Sequence, residues 1–315
     1  MGIEVFFGLF TVEVFYATVR MASPIALAAL GEVYLEKSGI LNLGLEATML
    51  MGAFFGVLGS AFSGSAFVGV LTAMAAGALT GLLFGFLVIT MRANQIVTGA
   101  ALNIAALGMT SFLSRVIFGV RSLPVQVQGV KPLTIPILSD IPVIGRILFD
   151  QTPLVYFTYF MVIVMTFVLY RTTWGLKIRS VGEHPRAAET LGISVLGWRY
   201  GCVLLGGALG GIAGSILSLA QLNTFVDNMI AGRGFIALAA VIFGRWNPVG
   251  AAVAALVFGA ADALQMRVQA FSLNVPSDLL LLMPYLITLV GVIIFRSRAA
   301  APVALTKPYE KEAMV

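Results

Sequence analysis

AFVGVLTAMAAGALTGLLFGFLVIT, residues 66–90, decides the fold class, because this run contains no Asp, Glu, Lys or Arg. A helix of about 20 residues crosses a hydrocarbon core of about 30 Å. Lipid offers no hydrogen-bond partner to open backbone, so a spanning segment is a helix or part of a closed barrel. Barrel strands alternate apolar and polar residues, and this run does not. The reading is all-α.

Working outward, the whole chain keeps the same character. Of its 315 residues 59% are hydrophobic and only 10% charged, with a mean hydropathy of +1.00. Soluble domains carry about 25% charged residues, so this chain cannot cover itself in water. Hydropathy and turn residues place helices near 8–31, 41–60, 66–90, 96–118, 153–170, 198–220, 228–244, 249–268 and 279–295. That is about nine transmembrane or re-entrant helices in one polytopic domain, residues 1–298. The 228–244 segment is the weakest, since Gly232, Arg233 and Gly234 interrupt its start, and a re-entrant helix is the expectation there. Pro124, Pro132, Pro136 and Pro142, with Pro153 flanking, make residues 119–152 an extended or turn-rich loop.

Lys and Arg concentrate on the cytoplasmic side of short loops. With the polar loop 171–197 inside, twelve basic residues fall on the inner side and five on the outer, while Arg20 and Arg115 lie in spans. The C-terminus is then cytoplasmic, and residues 299–315, with Pro302, Pro308 and mixed charges, read as a disordered tail. The N-terminus lacks a basic region and cleavage site, so no removable signal peptide is expected. The net charge of +5 is not gathered into one basic stripe, so nucleic acid is not an expected partner. One cysteine, Cys202, excludes an internal disulfide, and with a single histidine no metal site is expected.

Gly77, Gly81 and Gly85 recur every fourth residue, and GGALGGIAG occupies 206–214. Such small-residue spacing lets helices approach closely in lipid. The second run does not follow a strand and lacks the Gly-x-Gly-x-x-Gly order, so helix packing is its reading rather than nucleotide binding.

GLKIRSVGEHPRAAETLGIS, residues 175–194, is the strongest local feature. Pro185 suits a first helical turn, the acid Glu183 complements the dipole there, and Gly192 stops the helix. Ala187, Ala188 and Leu191 form a small apolar side, and Arg186 and Glu189 sit three apart. A short helix between two spans is either a solvated loop helix or a piece that docks on another protein. His184 in the same loop is read as packing or contact, not catalysis.

Carboxylates inside spans cost about 2.5–3.5 kcal/mol at the bilayer centre, so Glu13, Glu46 and Asp262 are expected at a wet cavity, a partner or an interface. Asn42, Asn103 and Gln265 could offer hydrogen bonds to a polar cargo, or equally to neighbouring helices. Asp227, Asn228 and Arg233 lie near the outer mouth, where they either meet a partner or cap the re-entrant segment.

Four stretches carry a family resemblance that runs through nearly the whole chain in order: GEVYLEKSGILNLGLEATMLMGAFFG (31–56), ANQIVTGAALN (93–103), the loop 175–194, and GRGFIALAAVIFGRWNP (232–248). Together they resemble the permease subunits of bacterial ABC importers for nucleosides, which are related to simple-sugar and branched-chain amino acid permeases. Related sugar permeases carry a GGIDLSVG-like stretch where this chain has Ser38 to Glu46, and its Asn-Leu-Gly-Leu-Glu form is similar to the nucleoside branch. Ala47 departs from the glycine frequent there. The resemblance implies a permease paired with an identical or homologous second chain. It implies nucleosides received from an extracytoplasmic binding lipoprotein across the bacterial inner membrane, and drive by cytoplasmic ATPases. The coupling helix would be formed by Gly182, Glu183, His184, Pro185, Arg186, Ala188, Glu189, Leu191 and Gly192, and the substrate pathway would include Asn42, Glu46, Asn103, Asp262 and Gln265. No phosphate-binding loop of the Gly-x-x-x-x-Gly-Lys-Ser/Thr type occurs, so this chain is expected to be no enzyme and to hold no cofactor, with ATP and magnesium on the ATPase. A furanose or pentose permease keeps the class and changes the cargo. An intramembrane enzyme or an ion-coupled carrier would need clustered catalytic residues or independence from an ATPase.

Overall fold

The computed structural model describes residues 12–119, 125–136, 139, 141–142, 144–270 and 301–310. Within them lie α1 (Val12–Lys37), α2 (Leu45–Ser63), α3 (Ala66–Gly85), α4 (Gln95–Phe118), α5 (Ile144–Phe149) and α6 (Pro153–Arg171). The polar loop carries α7 (Thr173–Glu183) and α8 (Pro185–Thr190), followed by α9 (Val195–Ser215), α10 (Arg233–Phe243) and α11 (Pro248–Ala270). Helices α3 and α9 each end in a π-helical turn, Phe86–Thr90 and Ile216–Gln221. Strands β1 (Leu133–Thr134) and β2 (Asp150–Gln151) pair antiparallel as a small clasp over the 125–152 region. Among the described residues seven helices are long and apolar enough to cross a membrane.

Helix α9 is the centre of the bundle. In its span 83% of residues are buried, against 22% in α4 and 28% in α6, which therefore form the rim. Phe112 on α4 and Ile163 on α6 point outward, as lipid-facing side chains do. The glycines explain why α9 can sit so deep. A methyl group added at Gly77 would lie 2.3 Å from the Gly207 carbonyl, and one at Gly52 the same distance from Gly211 O. On the α1 side, a methyl at Gly31 would meet the Gly206 backbone at 2.9 Å. Lipid tails supply no hydrophobic drive between helices, so this close backbone approach supplies packing energy in its place. The 206–214 run is thus a three-sided contact surface, and α1, α2 and α3 are its partners.

Two helix breaks depart from simple spans. Residues 38–44 form a buried turn between α1 and α2, with Gly39 at φ +92°. The 228–244 segment resolves into turns followed by the eleven-residue α10, too short to cross the membrane at 1.5 Å per residue. Asn228, Ala231 and Gly232 have positive φ at its entry, so the chain turns where Gly232 to Gly234 mark an interruption. The expected 279–295 span and residues 8–11 of the first lie outside the described residues.

Within the expected tail, 299–315, residues 301–310 are described. Residues 301–310 are not a free end but lie against the 171–197 loop, with Ala304 and Tyr309 buried. Backbone pairing explains this: the Ala304 and Thr306 N–H groups donate to the carbonyls of Gly182 (2.9 Å) and Gly39 (3.2 Å). Composition, which argued for disorder, does not register such bonds.

Candidate functional site

Two regions hold the residues singled out from sequence. The first is a polar seam where helix breaks meet. Asn42 is buried, donates its backbone N–H to Glu32 Oε1 (2.8 Å), and accepts from Gly44 N–H through Oδ1 (2.9 Å). Asn103, from α4, pins the same turn: its Nδ2 donates to Leu43 O and its Oδ1 accepts from Ala47 N–H, both at 2.9 Å. Glu46 then reaches across to α10, accepting the N–H groups of Gly232 and Gly234, both at 2.8 Å. These are the orphan donors of a helix start, which favours a negative charge. Gly234 is packed so closely on Glu46 that an added methyl would lie 2.6 Å from its backbone N. Arg233 closes the chain with an ion pair to Asp262 of α11 at 3.8 Å. Gln265 follows Asp262 by three residues and is half-buried.

The structure thus brings Asn42, Glu46, Asn103 and Asp262 into one connected seam, with Arg233 as the link. Asp227 instead pairs with Arg115 at 3.6 Å on the surface, and Glu13 pairs with Arg146 at 2.8 Å. Three buried charges were not singled out from sequence. Glu32 and Glu36, each 1% exposed, lie one turn apart on α1. Glu36 Oε2 accepts from Trp246 Nε1 at 2.5 Å, tying α1 to the turn that follows α10. Glu32 Oε2 and Glu36 Oε1 have no hydrogen-bond partner among the described residues. The i, i+4 spacing of two acids at the end of an apolar run was the available signal. Arg199, 2% exposed at the base of α9, donates from Nε to Ser38 O at 3.2 Å.

The second region is the loop. Thr172 caps α7 by accepting from Gly175 N–H (3.3 Å), and Gly175, Ile178, Val181 and Gly182 form its inward face. At Gly182 a side chain is excluded, since a Cβ would meet the Lys37 carbonyl at 2.1 Å. The end of α7 is therefore pressed against the end of α1. His184 separates the helices, and Pro185 opens α8, as the missing N–H and fixed φ of proline favour. Gly192 has φ +77° and donates to Glu189 O (2.8 Å), while Ile193 N–H donates to Ala188 O (3.0 Å), a left-handed stop to the helix. Where the sequence suggested one helix with an apolar side of Ala187, Ala188 and Leu191, the structure splits that side. Ala188 turns inward onto Val181 and Val195. Ala187 and Leu191 turn outward, Leu191 being 81% exposed. Leu191, just past the end of the six-residue helix, is an exposed apolar side chain.

Comparison with known proteins places this architecture. The family described as "Branched-chain amino acid transport system / permease component" matches residues 14–292. The guanosine ABC transporter permease protein NupQ of Bacillus subtilis is 41% identical over 94% of this chain and 95% of that one. The nucleoside ABC transporter permease protein NupC of Lactococcus lactis is 38% identical over 93% and 96%. A putative glucose ABC transporter permease protein of Haloferax volcanii, TsgC13, is 39% identical over 82% and 78%. With a family match across most of its length and relatives of this closeness, the chain belongs to the branched-chain amino acid transport system permease family, a multi-pass membrane component of transporters.

Proposed function

We propose that this chain is one of two paired permease subunits of an ATP-driven nucleoside importer in the bacterial cell membrane. Its loop 171–197 and C-terminus face the cytoplasm. An extracytoplasmic binding lipoprotein delivers the cargo, and separate ATPase subunits hold ATP and magnesium. The observation that carries the cargo assignment is the similarity to guanosine and nucleoside permeases over almost the full length of both chains. The coupling assignment rests on α8, whose Ala187 and Thr190 are exposed while Ala188 is wedged into the bundle.

The mechanical path follows from contacts. A load on Arg186, Ala187 and Leu191 passes through Ala188 to Val181 and Val195, hence to α7 and α9. Through Gly182 it reaches the last carbonyl of α1. The polar seam at 42–47 lies just beyond that point, joined to α10 by Glu46 and to α4 by Asn103. Displacing the end of α1 relative to α9 parts this seam, which is how the cavity between paired subunits would change the side it faces. Asn42, Glu46, Asn103, Asp262 and Gln265 then become available to the hydroxyl, amide and ring nitrogen groups of a nucleoside.

The test is radiolabelled guanosine uptake by the assembled transporter. Unlabelled nucleosides should compete, and ribose or glucose should not; competition by the sugars alone would overturn the cargo assignment. In the same assay, Glu183→Ala with Arg186→Ala should leave membrane insertion and ATP hydrolysis in place while uptake falls about tenfold or more. Normal uptake by this double variant would remove α8 from the coupling path.

A further inference from the structure

Residues 301–310 have no regular secondary structure, yet they touch α7, α8, α9 and the turns that follow α1 and α3. Besides the backbone bonds to Gly182 and Gly39, the Val303 N–H donates to Glu183 Oε2 (3.4 Å) and the Lys307 carbonyl accepts from Arg199 Nη1 (3.4 Å). The Tyr309 hydroxyl donates to the Glu189 carboxylate of α8, and Glu310 pairs with Arg92 at 2.7 Å, beyond the end of α3. The Tyr309 ring packs in one cluster with Val181, Ala188 and Val195, and the Arg199 guanidinium lies 5.9 Å from its centre. Burial, then the Glu189 carboxylate, pushes the Tyr309 phenol up to about 12, so it remains a donor at neutral pH. The fit at the α1 end is close: a Cβ at Gly39 would come within 3.1 Å of the Ala304 carbonyl.

Helix α8 needs such support. Six residues are fewer than two turns, well below the length at which a helix holds itself in water. Its chain connections are a single residue, His184, on one side and the 191–194 turn on the other. Apart from these, Ala188 holds it to the bundle by packing on Val181 and Val195, a single point about which a push would pivot it. Between the segment and α8 remains a cavity of about 580 Å³ lined by His184, Arg186, Arg199 and Lys307, so contact is made at discrete points.

We propose that residues 301–310 are a strap that makes α8 move as one body with the ends of α1 and α9, with Tyr309 as its positioning residue. The mechanical part stands on the contacts above; its consequence for transport rests on the coupling reading of α8. Two measurements separate the two. In the purified full-length permease, hydrogen exchange at amides 183–192 is compared with that of a chain ending at residue 300 and of Tyr309→Phe. Exchange should rise about tenfold or more in the shortened chain and by a few-fold in Tyr309→Phe, which removes only one hydroxyl and serves if the shortened chain does not fold. In the reconstituted transporter with its ATPase, the shortened chain should keep basal ATP hydrolysis while uptake per ATP falls by about fivefold or more. Unchanged exchange in both variants overturns the strap. Uptake that rises on shortening also overturns it, because the segment would then restrain α8 rather than connect it. Raised exchange, together with normal uptake by the Glu183→Ala and Arg186→Ala double variant, upholds the strap and rejects the coupling reading alone.

Discussion

At Glu46 a carboxylate that the bilayer would otherwise penalise is stabilised by two N–H groups at the start of α10. Replacing it by alanine leaves both donors without an acceptor in a buried place, and hydrogen bonds to a charged acceptor are worth about 1.5–3 kcal/mol each. Glu46→Ala should therefore lower the stability of the purified protein by about 2–4 kcal/mol. Glu46→Gln, which keeps one acceptor oxygen, should lose about half of that. Thermal midpoints in nanodiscs measure both. An unchanged midpoint with impaired guanosine uptake would show that the carboxylate serves cargo and not the fold. That Glu46 is unusual was legible from its position in an apolar run. Its partner was not, because Gly232 and Gly234 lie 186 and 188 residues away and offer backbone groups that no side-chain pattern announces.

Helix α10 is held at both ends by acids from the first two helices. Glu46 takes its opening N–H groups, and Glu36 takes the indole N–H of Trp246 just past its end. Arg245 and Trp246 adopt φ of +57° and +54°, a left-handed geometry that costs a non-glycine residue about 1 kcal/mol or more and needs an external hold. Trp246→Phe keeps the ring packing but removes that hold and leaves Glu36 Oε2 without its donor. Hydrogen exchange at amides 244–251 should then rise about fivefold or more, while α9 stays protected. Equal protection in variant and parent would mean that packing alone sets this turn. The interruption at 232–234 was readable from glycine and arginine in an apolar run, and turns do precede the short α10 there. Of the two anchoring acids only Glu36 was passed over, because it precedes Lys37 and reads as the polar edge of a span, whereas folding buries it to 1% exposure.

Over the whole molecule, what lipid dictates was legible and what chain segments arrange among themselves was not. Span length follows from membrane thickness, so uncharged runs such as 66–90 announce helices without any knowledge of neighbours. The centre of the bundle was half legible: glycines at 206–214 signalled close packing, but not that three helices converge on it. The strap was illegible, since prolines and mixed charges look alike whether a segment is free or held by backbone bonds. Orientation lies between these cases, resting on twelve basic residues against five, and it admits a direct test. Cys202 is the one cysteine in the sequence and is buried, so a Cys202→Ala parent gives a clean background for introduced thiols. Leu191→Cys, exposed just past the end of α8, should react with a membrane-impermeant maleimide in inside-out vesicles and stay unlabelled in right-side-out ones. Lys131→Cys, in the segment that crosses the opposite end of α9 through the Val130 N–H bond to Leu219 O, should show the reverse. If both thiols label from one side, residues 132–190 do not carry the chain across the membrane an odd number of times. If both patterns invert, α8 faces outward and cannot meet an ATPase, and the importer assignment falls with the orientation.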